Sequence, residues 1–453
     1  MPEQVDVVVI GLGPGGEEVA GKLAEAGLAV IGVDERLVGG ECPYWGCIPS
    51  KMMIRASDLL AEGRRIPGMA GDATVRPDWA PVAKRIRDEA TTNWDDTIAV
   101  ERFEGKGGRF VRGHGRITAR GEVTVGDQIF HATKAVVLAS GTVASVPPIP
   151  GLSDTPFWTN HGAIETEAVP ESLAIIGGGA IGLELAQVFA RFGSTVTVIE
   201  AGARLLGLEE PESSEVVTKV LKSDGITAHV NAKIASVSHS DAGFVVDLGP
   251  DGSVTAERLL VATGRKVDLT VTGVGAYGID ESARSLPVDD ALRAAEGLWG
   301  VGDVTGRGAF THIAMYQAGI AVPDILGRPH PPASYHALPR VTFTDPEVGA
   351  VGLTEQQARD QGISVRTAVT PLPESTRGWI HKVGNDGFIK LVEDADRGVL
   401  VGATSAGPYG GEILAGLAVA VHAAVPVETL ATMIYAYPTL HRAIEVAVAQ
   451  LRS

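Results

Sequence analysis

Val5-Asp6-Val7-Val8-Val9-Ile10-Gly11-Leu12-Gly13-Pro14-Gly15-Gly16 is the stretch on which the fold turns. A β-branched run without polar alternation reads as a parallel strand buried on both faces. The glycine-rich loop after it opens a helical stretch, Glu17 to Ala26, and a second apolar run, Ala29 to Val33, ends at Asp34. The same order recurs once. Leu173 to Ile176 leads into Gly177-Gly178-Gly179-Ala180-Ile181-Gly182, a helical stretch from Leu183 to Phe192, and a strand from Thr195 to Ile199 that ends at Glu200. Two strand–loop–helix–strand units in one chain imply an α/β protein with two dinucleotide sites.

Each glycine has a separate task. Gly11 and Gly177 make the tight turn, Gly13 and Gly179 admit a pyrophosphate to the backbone, and Gly16 and Gly182 let helix pack on strand. The helix N-terminus behind each loop favours the phosphates' negative charge. Asp34 and Glu200, each at the end of its unit's second strand, are placed to accept hydrogen bonds from a ribose. An acid there repels a 2′-phosphate, so Glu200 favours NADH over NADPH. Arg204, four residues on, keeps NADPH open.

Beyond the loops, a long helical region is expected from Pro81 to Val100, then strands near Arg109 to Thr118 and Glu122 to His131. Apolar runs end at Ser140-Gly141-Thr142, at Thr263-Gly264-Arg265 and at Gly302-Asp303. Proline-rich segments at 146–151 and 329–332 read as linkers, and a mixed α+β region without a nucleotide motif follows from Tyr335. Lys plus Arg is 38 against 55 Asp plus Glu, a net charge of −17, which argues against a nucleic-acid partner. No run approaches the roughly 20 apolar residues of a membrane span, and the start lacks a basic, apolar leader. A cytoplasmic protein with no membrane partner is the expectation.

The 453 residues hold only two cysteines, both in Gly40-Glu41-Cys42-Pro43-Tyr44-Trp45-Gly46-Cys47-Ile48-Pro49-Ser50-Lys51. No second Cys or His pair lies nearby to complete a zinc site, and the histidines are scattered singly, so no metal is expected. A helix N-terminus at these thiols would favour thiolate. The Cys42–Cys47 motif with Ile48-Pro49-Ser50-Lys51 resembles the redox centre of the flavin-dependent pyridine nucleotide–disulfide oxidoreductases, which include dihydrolipoamide dehydrogenase, glutathione reductase and mercuric reductase. Gly302-Asp303 is similar to that family's second FAD motif, and Thr344-Asp345-Pro346-Glu347-Val348-Gly349 to the start of its dimerisation domain.

The resemblance implies two Rossmann-type nucleotide-binding domains and a C-terminal α+β dimerisation domain. They would be an FAD domain of residues 1–150 and 268–334, an NAD(P) domain of 151–267 and an interface domain of 335–453 in a homodimer. FAD would be held by Gly11, Gly13, Pro14, Gly16, Asp34, Lys51, Ser140, Gly141, Gly302 and Asp303. NADH or NADPH would be held by Gly177, Gly179, Ile181, Gly182, Glu200 and Gly264. Electrons would pass from nicotinamide through FAD to a Cys42–Cys47 disulfide, with Cys47 toward the flavin and Cys42 toward a small-molecule acceptor. Lys51 would sit near flavin N5 with Glu184 as its ion partner.

One segment departs from the family. The dihydrolipoamide and glutathione enzymes carry a His in a His-Pro-Thr motif and a Glu shortly after it. Here Tyr437-Pro438-Thr439 follows Ala436, and Arg442 stands where the Glu is expected. Tyrosine, with an ordinary pKa near 10, is a poor base at pH 7 but a usable donor. If a helix began near Pro438, His441 would share a face with Tyr437 and serve as a displaced base. Mercuric reductases also carry a Tyr in this region. They end in a vicinal Cys pair, which this sequence lacks, and no N-terminal metal-binding domain is seen. The expected acceptor is therefore non-standard: a quinone, an unusual disulfide or a metal ion. A divergent dihydrolipoamide dehydrogenase is the second reading. A flavoprotein that senses or scaffolds without turnover is the third, opposed by the intact Cys42, Cys47, Lys51 and Glu184.

Overall fold

A computed structural model describes residues 1–452, which form two compact units. The first comprises Met1–Ser50, Lys84–Ser145 and Gly264–Ser334. Its central sheet runs in the order Arg293–Ala295, Leu298–Gly300, Gln128–Leu138, Glu3–Ile10, Val30–Asp34, Arg109–Arg112. Glu3–Ile10 is parallel to both its neighbours, with Val7 opposite Val30 and Val8 opposite Val136. Because strand side chains alternate between faces, the β-branched run feeds two cores. Val7 and Val9 pack with Leu12 of the glycine loop, with Val19 and Leu23 of the Pro14–Glu25 helix and with Ala318 and Ala321 of the Thr311–Ile325 helix. Val8 and Ile10 pack on the other face with Ile31, Val33, Ile117 and Phe130. Burial on both faces explains why the strand shows no polar alternation.

The helical region expected from Pro81 to Val100 is interrupted. A helix of Ala80–Arg85 passes into a π-turn, Ile86–Ala90, and helix resumes only at Thr97–Glu104. Thr92, Asn93 and Trp94 lie between with φ of 49°, 57° and 55°. Local side chains outbid the helix ladder here. The Thr91 hydroxyl donates to the Ile86 carbonyl at 3.0 Å, and the Asp95 carboxylate accepts from the Thr97 amide at 2.7 Å.

The second unit comprises Lys51–Ala83, Val146–Thr263 and the chain from Tyr335 onward. It holds a four-stranded parallel sheet in the order Thr227–His229, Thr195–Ile199, Ser172–Ile176, Arg258–Val261. A three-stranded antiparallel sheet, Ser236–Ser240, Gly243–Asp247 and Ser253–Ala256, adjoins it. A five-stranded antiparallel sheet runs Pro339–Thr342, Glu347–Gly352, Val399–Gly407, Phe388–Asp394, Val365–Pro371. The helices Gly410–His422 and Ala443–Leu451 cover it, burying Leu414, Leu417, Ile444 and Val448. Among the described residues no helix is long and apolar enough to cross a membrane.

Candidate active site

Both glycine loops fold alike. Gly11 and Gly177 have φ of +91° and +114°, where an L side chain is strained. A Cβ on Gly16 would lie 1.9 Å from the Gly11 carbonyl oxygen, and one on Gly182 would lie 2.2 Å from that of Gly177. These third glycines are fixed by helix–strand packing. The second glycines differ: a Cβ on Gly13 or Gly179 meets nothing within 4 Å. Internal packing does not account for glycine there, whereas a close-lying phosphate does. The loops therefore fit dinucleotide pyrophosphates.

The strand-end acids also repeat. The Asp34 carboxylate accepts from the Leu12 amide at 2.7 Å and the Arg36 amide at 2.8 Å. Glu200 accepts from the Gly178 amide at 2.6 Å and the Gly202 amide at 2.5 Å. Each acid thus braces the loop of its own unit. Burial raises the pKa of Asp34, opposed by those two amides. Arg204 is turned into its own loop, donating to the carbonyls of Leu206, Gly207 and Glu209 at 3.0, 3.0 and 2.6 Å.

In the first unit, Cys42 lies in the short helix Glu41–Tyr44, and Cys47 is the first residue of the helix Cys47–Arg65. Neither is in a disulfide. A hydrogen bond with Cys47, and then burial, push the Cys42 thiol far up, while Thr311 pulls the other way. The bond and burial both favour the protonated form of the Cys42 thiol. The Cys47 sulfur lies 3.6 Å from the Thr311 hydroxyl, the first residue of its own helix. Sequence reasoning missed Thr311. Its signal was Phe310-Thr311-His312 opening an apolar helix after the Gly302-Asp303 turn.

Asp303 accepts from the Thr142 hydroxyl at 2.8 Å, and Arg265 donates to that hydroxyl at 2.7 Å and to the Thr142 carbonyl at 2.6 Å. Burial raises the Asp303 pKa against these bonds. The turns at Ser140-Gly141-Thr142 and Gly264-Arg265 are therefore brought to Asp303. Gln317, also missed, is fully buried and accepts from the Gly302 amide at 2.6 Å. A cavity of about 440 Å³ opens beside the thiols' loop, lined by Pro14, Glu17, Pro43, Tyr44, Arg102 and Met315.

In the second unit, Lys51 donates to Glu184 at 2.8 Å. The other Glu184 oxygen accepts from the Phe343 amide at 2.8 Å, and the Phe343 ring lies 4.5 Å from the Lys51 ammonium. Ile181 sits 36% exposed in the first turn of the Ala180–Arg191 helix. The proposed Tyr437–His441 helix face is not formed. Tyr437 lies in a loop, 66% exposed, and the first helical turn is Leu440–Arg442. The ring of His441 instead lies 6.1 Å from that of Tyr435. Arg442 stands 5.4 Å over the Tyr437 ring and pairs with Glu445 at 2.9 Å.

Residues 5–318 match the pyridine nucleotide-disulphide oxidoreductase family, and residues 338–448 match its dimerisation domain. A mercuric reductase of Acidithiobacillus ferrooxidans is 31% identical over 457 residues, spanning 98% of this chain and 82% of that protein. A dihydrolipoyl dehydrogenase of Zymomonas mobilis is also 31% identical, over 460 residues, spanning 99% and 98%. The HOCl-induced flavoprotein disulfide reductase RclA of Escherichia coli superposes with a TM-score of 0.85 at 25% identity, covering 98% and 99%.

Proposed function

From the premise that this chain belongs to the pyridine nucleotide-disulphide oxidoreductase family, whose members use FAD and pyridine nucleotides, we propose an NADH-preferring enzyme with a non-standard acceptor. Its redox pair is Cys42 and Cys47. For a disulfide or metal-ion acceptor, each turnover converts NADH, a proton and the Cys42–Cys47 disulfide into NAD⁺ and the dithiol, which then reduces the acceptor by two electrons; a quinone takes the electron pair without passing it through the thiols. Bound FAD supplies the two-electron relay between nicotinamide and sulfur. The observation that carries the reading is the thiol pair itself: Cys42 lies in the short Glu41–Tyr44 helix, hydrogen-bonded with Cys47, and Cys47 heads a 19-residue helix beside Thr311.

The remaining residues support the same scheme. Gly11, Gly13, Pro14, Gly16, Asp34, Ser140, Gly141, Gly302 and Asp303 hold FAD. Lys51, anchored by Glu184, is the cation toward the flavin. Gly177, Gly179, Ile181, Gly182, Glu200 and Gly264 hold NADH. Glu200 is an acid at the end of its unit's second strand while Arg204 donates to its own loop's carbonyls, which favours NADH over NADPH. Residues 1–150 with 268–334, 151–267 and 335–453 act as FAD, NADH and interface domains of a cytoplasmic homodimer.

The acceptor is a quinone, an unusual disulfide or a metal ion, because Tyr437 and Arg442 replace the family's His and Glu. The near full-length match to a dihydrolipoyl dehydrogenase favours lipoamide chemistry as the second reading. Anaerobic reduction of the holoenzyme by NADH and NADPH, followed by lipoamide, small disulfides, quinones and metal ions, separates them. Wild type and Cys42→Ser are run in parallel. Dihydrolipoamide-dependent NAD⁺ reduction as fast as any other turnover would replace the main reading with the second. Failure of both nucleotides to bleach the bound flavin would leave only a non-catalytic flavoprotein.

A further inference from the structure

Two helices of the second unit carry an ionic ladder. On one, Lys51 and Asp58 are seven residues apart; on the other, Glu184 and Arg191 are also seven apart. Seven residues are about two turns, so each pair shares a helix face. Lys51 meets Glu184 at 2.8 Å, and Asp58 meets Arg191 at 3.0 Å, with the charges exchanged between helices. Arg64 adds a bond from its guanidinium to the Arg191 carbonyl at 2.7 Å.

A strap, Phe343-Thr344-Asp345, runs along both rungs. Its Phe343 amide holds Glu184 at 2.8 Å. The Asp345 amide donates to Gln187 at 2.7 Å and its carbonyl accepts from Gln187 at 2.9 Å. The Asp345 carboxylate takes Arg191 at 2.7 Å and Arg65 at 2.6 Å. Arg191 is 2% exposed and uses its third nitrogen on Asp224 at 3.1 Å. A guanidinium with three carboxylates at fixed angles is rigid in a way that a single lysine–glutamate contact is not.

We propose that Arg191 is a positioning residue for Lys51: its hub with Asp58 and Asp345 fixes the helix spacing at which Lys51 meets Glu184. The proposal rests on reading Lys51 as the cation toward the flavin. Lys51 is long, 35% exposed on its side chain and held by one carboxylate, so its place depends on where the two helices lie. Burial, then Asp345, push Asp58 up to about 6, with Arg191 opposing. Glu347 adds to the rise and Arg55, on the same helix as Asp58, opposes it. Below that pH Asp58 gains a proton, its charge on Arg191 is lost and the rung weakens.

Deleting the Arg191 guanidinium would leave several carboxylates unpaired and risk misfolding. The test therefore uses Asp58→Asn and Arg191→Lys in the holoenzyme, with Lys51→Met as reference. Asp58→Asn should retain FAD and its melting temperature. It should slow NADH-driven flavin bleaching about three- to tenfold, toward the lower end of the effects of coupled neighbours, and displace the flavin's absorbance maximum. The wild-type rate should fall on the acid side of about pH 6, and Asp58→Asn should lack that step. In a Lys51→Met background Asp58→Asn should add nothing. Unchanged absorbance, rate and pH profile in both hub variants, with Lys51→Met altered, would overturn the positioning role. An Asp58→Asn effect that persists undiminished without Lys51 would overturn it too. An inert Lys51→Met would overturn the reading of Lys51, and the proposal with it.

Discussion

Gly179→Ala separates the folding task of a glycine from its binding task. Gly179 caps the Ala180–Arg191 helix with φ −87° and ψ −175°, an extended conformation open to any residue. Its added methyl meets nothing within 4 Å. Restricting the unfolded chain contributes about 0.4–1 kcal/mol of stability. Alanine as an N-cap costs a similar amount, about 0.5–1 kcal/mol. The net effect on the unfolding midpoint is near zero. Binding is different. A methyl group where the pyrophosphate approaches the backbone pushes the ligand off one or two amides, each charge-assisted bond contributing about 1.5–3 kcal/mol. A loss of about 2–4 kcal/mol weakens NADH about 30- to 1000-fold. Flavin content and melting temperature measured beside an anaerobic NADH titration read both quantities from one sample. Gly182→Ala is the control, because its methyl lies 2.2 Å from the Gly177 carbonyl and the loop must move. Wild-type NADH affinity in Gly179→Ala refutes the assignment of this loop. A Gly182→Ala protein that melts and binds like wild type refutes the packing argument.

Three further outcomes follow from the same geometry. Glu200→Ala removes the carboxylate that holds the Gly178 and Gly202 amides; the kcat/KM ratio of NADH to NADPH should fall about tenfold, the effect of one like-charge contact of about 1–2 kcal/mol, and an unchanged ratio refutes the acid's role. Cys47→Ser removes the sulfur that holds the Cys42 proton, so the pH midpoint of Cys42 alkylation should move down; an unmoved midpoint would mean burial alone sets it. Lys390→Met strands the carboxylates of Glu210, Glu212 and Glu355, which it meets at 3.0, 2.8 and 3.1 Å, and should cost about 3–5 kcal/mol in urea unfolding. Bonds with Arg359 first, and Lys390 after burial's opposing effect, lower the Glu355 pKa. Its contribution is present above the usual glutamate range and lost as pH falls, so Lys390→Met should flatten the acid limb of stability.

The parallel sheet and its loops were readable because one local pattern, apolar strand then spaced glycines then helix, carries both fold and binding information. The Cys42–Cys47 motif was readable for the same reason, since its chemistry sits within six residues. What escaped depends on contacts between distant segments. Thr311 reaches Cys47 across 264 residues, and Arg191 reaches Asp58 across 133. No periodicity links such positions. The break at Thr92-Asn93-Trp94 escaped because Thr91 and Asp95 redirect the backbone through side-chain bonds that helix propensity does not register. The Tyr437–His441 face failed because the spacing argument assumed a helix, and helical structure starts only at Leu440.

The proton, rather than the electrons, sets which acceptor the thiol pair can serve. To attack a disulfide, Cys42 must shed its proton, and the departing thiolate must gain one. A base beside the outer thiol does both. Here the Cys42 proton is held by Cys47, and the segment that would bring the base presents Tyr437 beneath the Arg442 guanidinium. A tyrosine at this place can donate a proton but is a poor base near neutral pH. An ordinary disulfide is thus disfavoured at its first step. A metal ion differs, because coordination itself expels the thiol proton. A quinone differs again, because it takes electrons at the flavin without a thiol nucleophile. Cys42→Ser divides these cases: it abolishes turnover of a metal-ion acceptor and spares that of a quinone. Replacing Tyr437 by His should raise disulfide turnover selectively, and equal gains for all three acceptors would refute the proton argument.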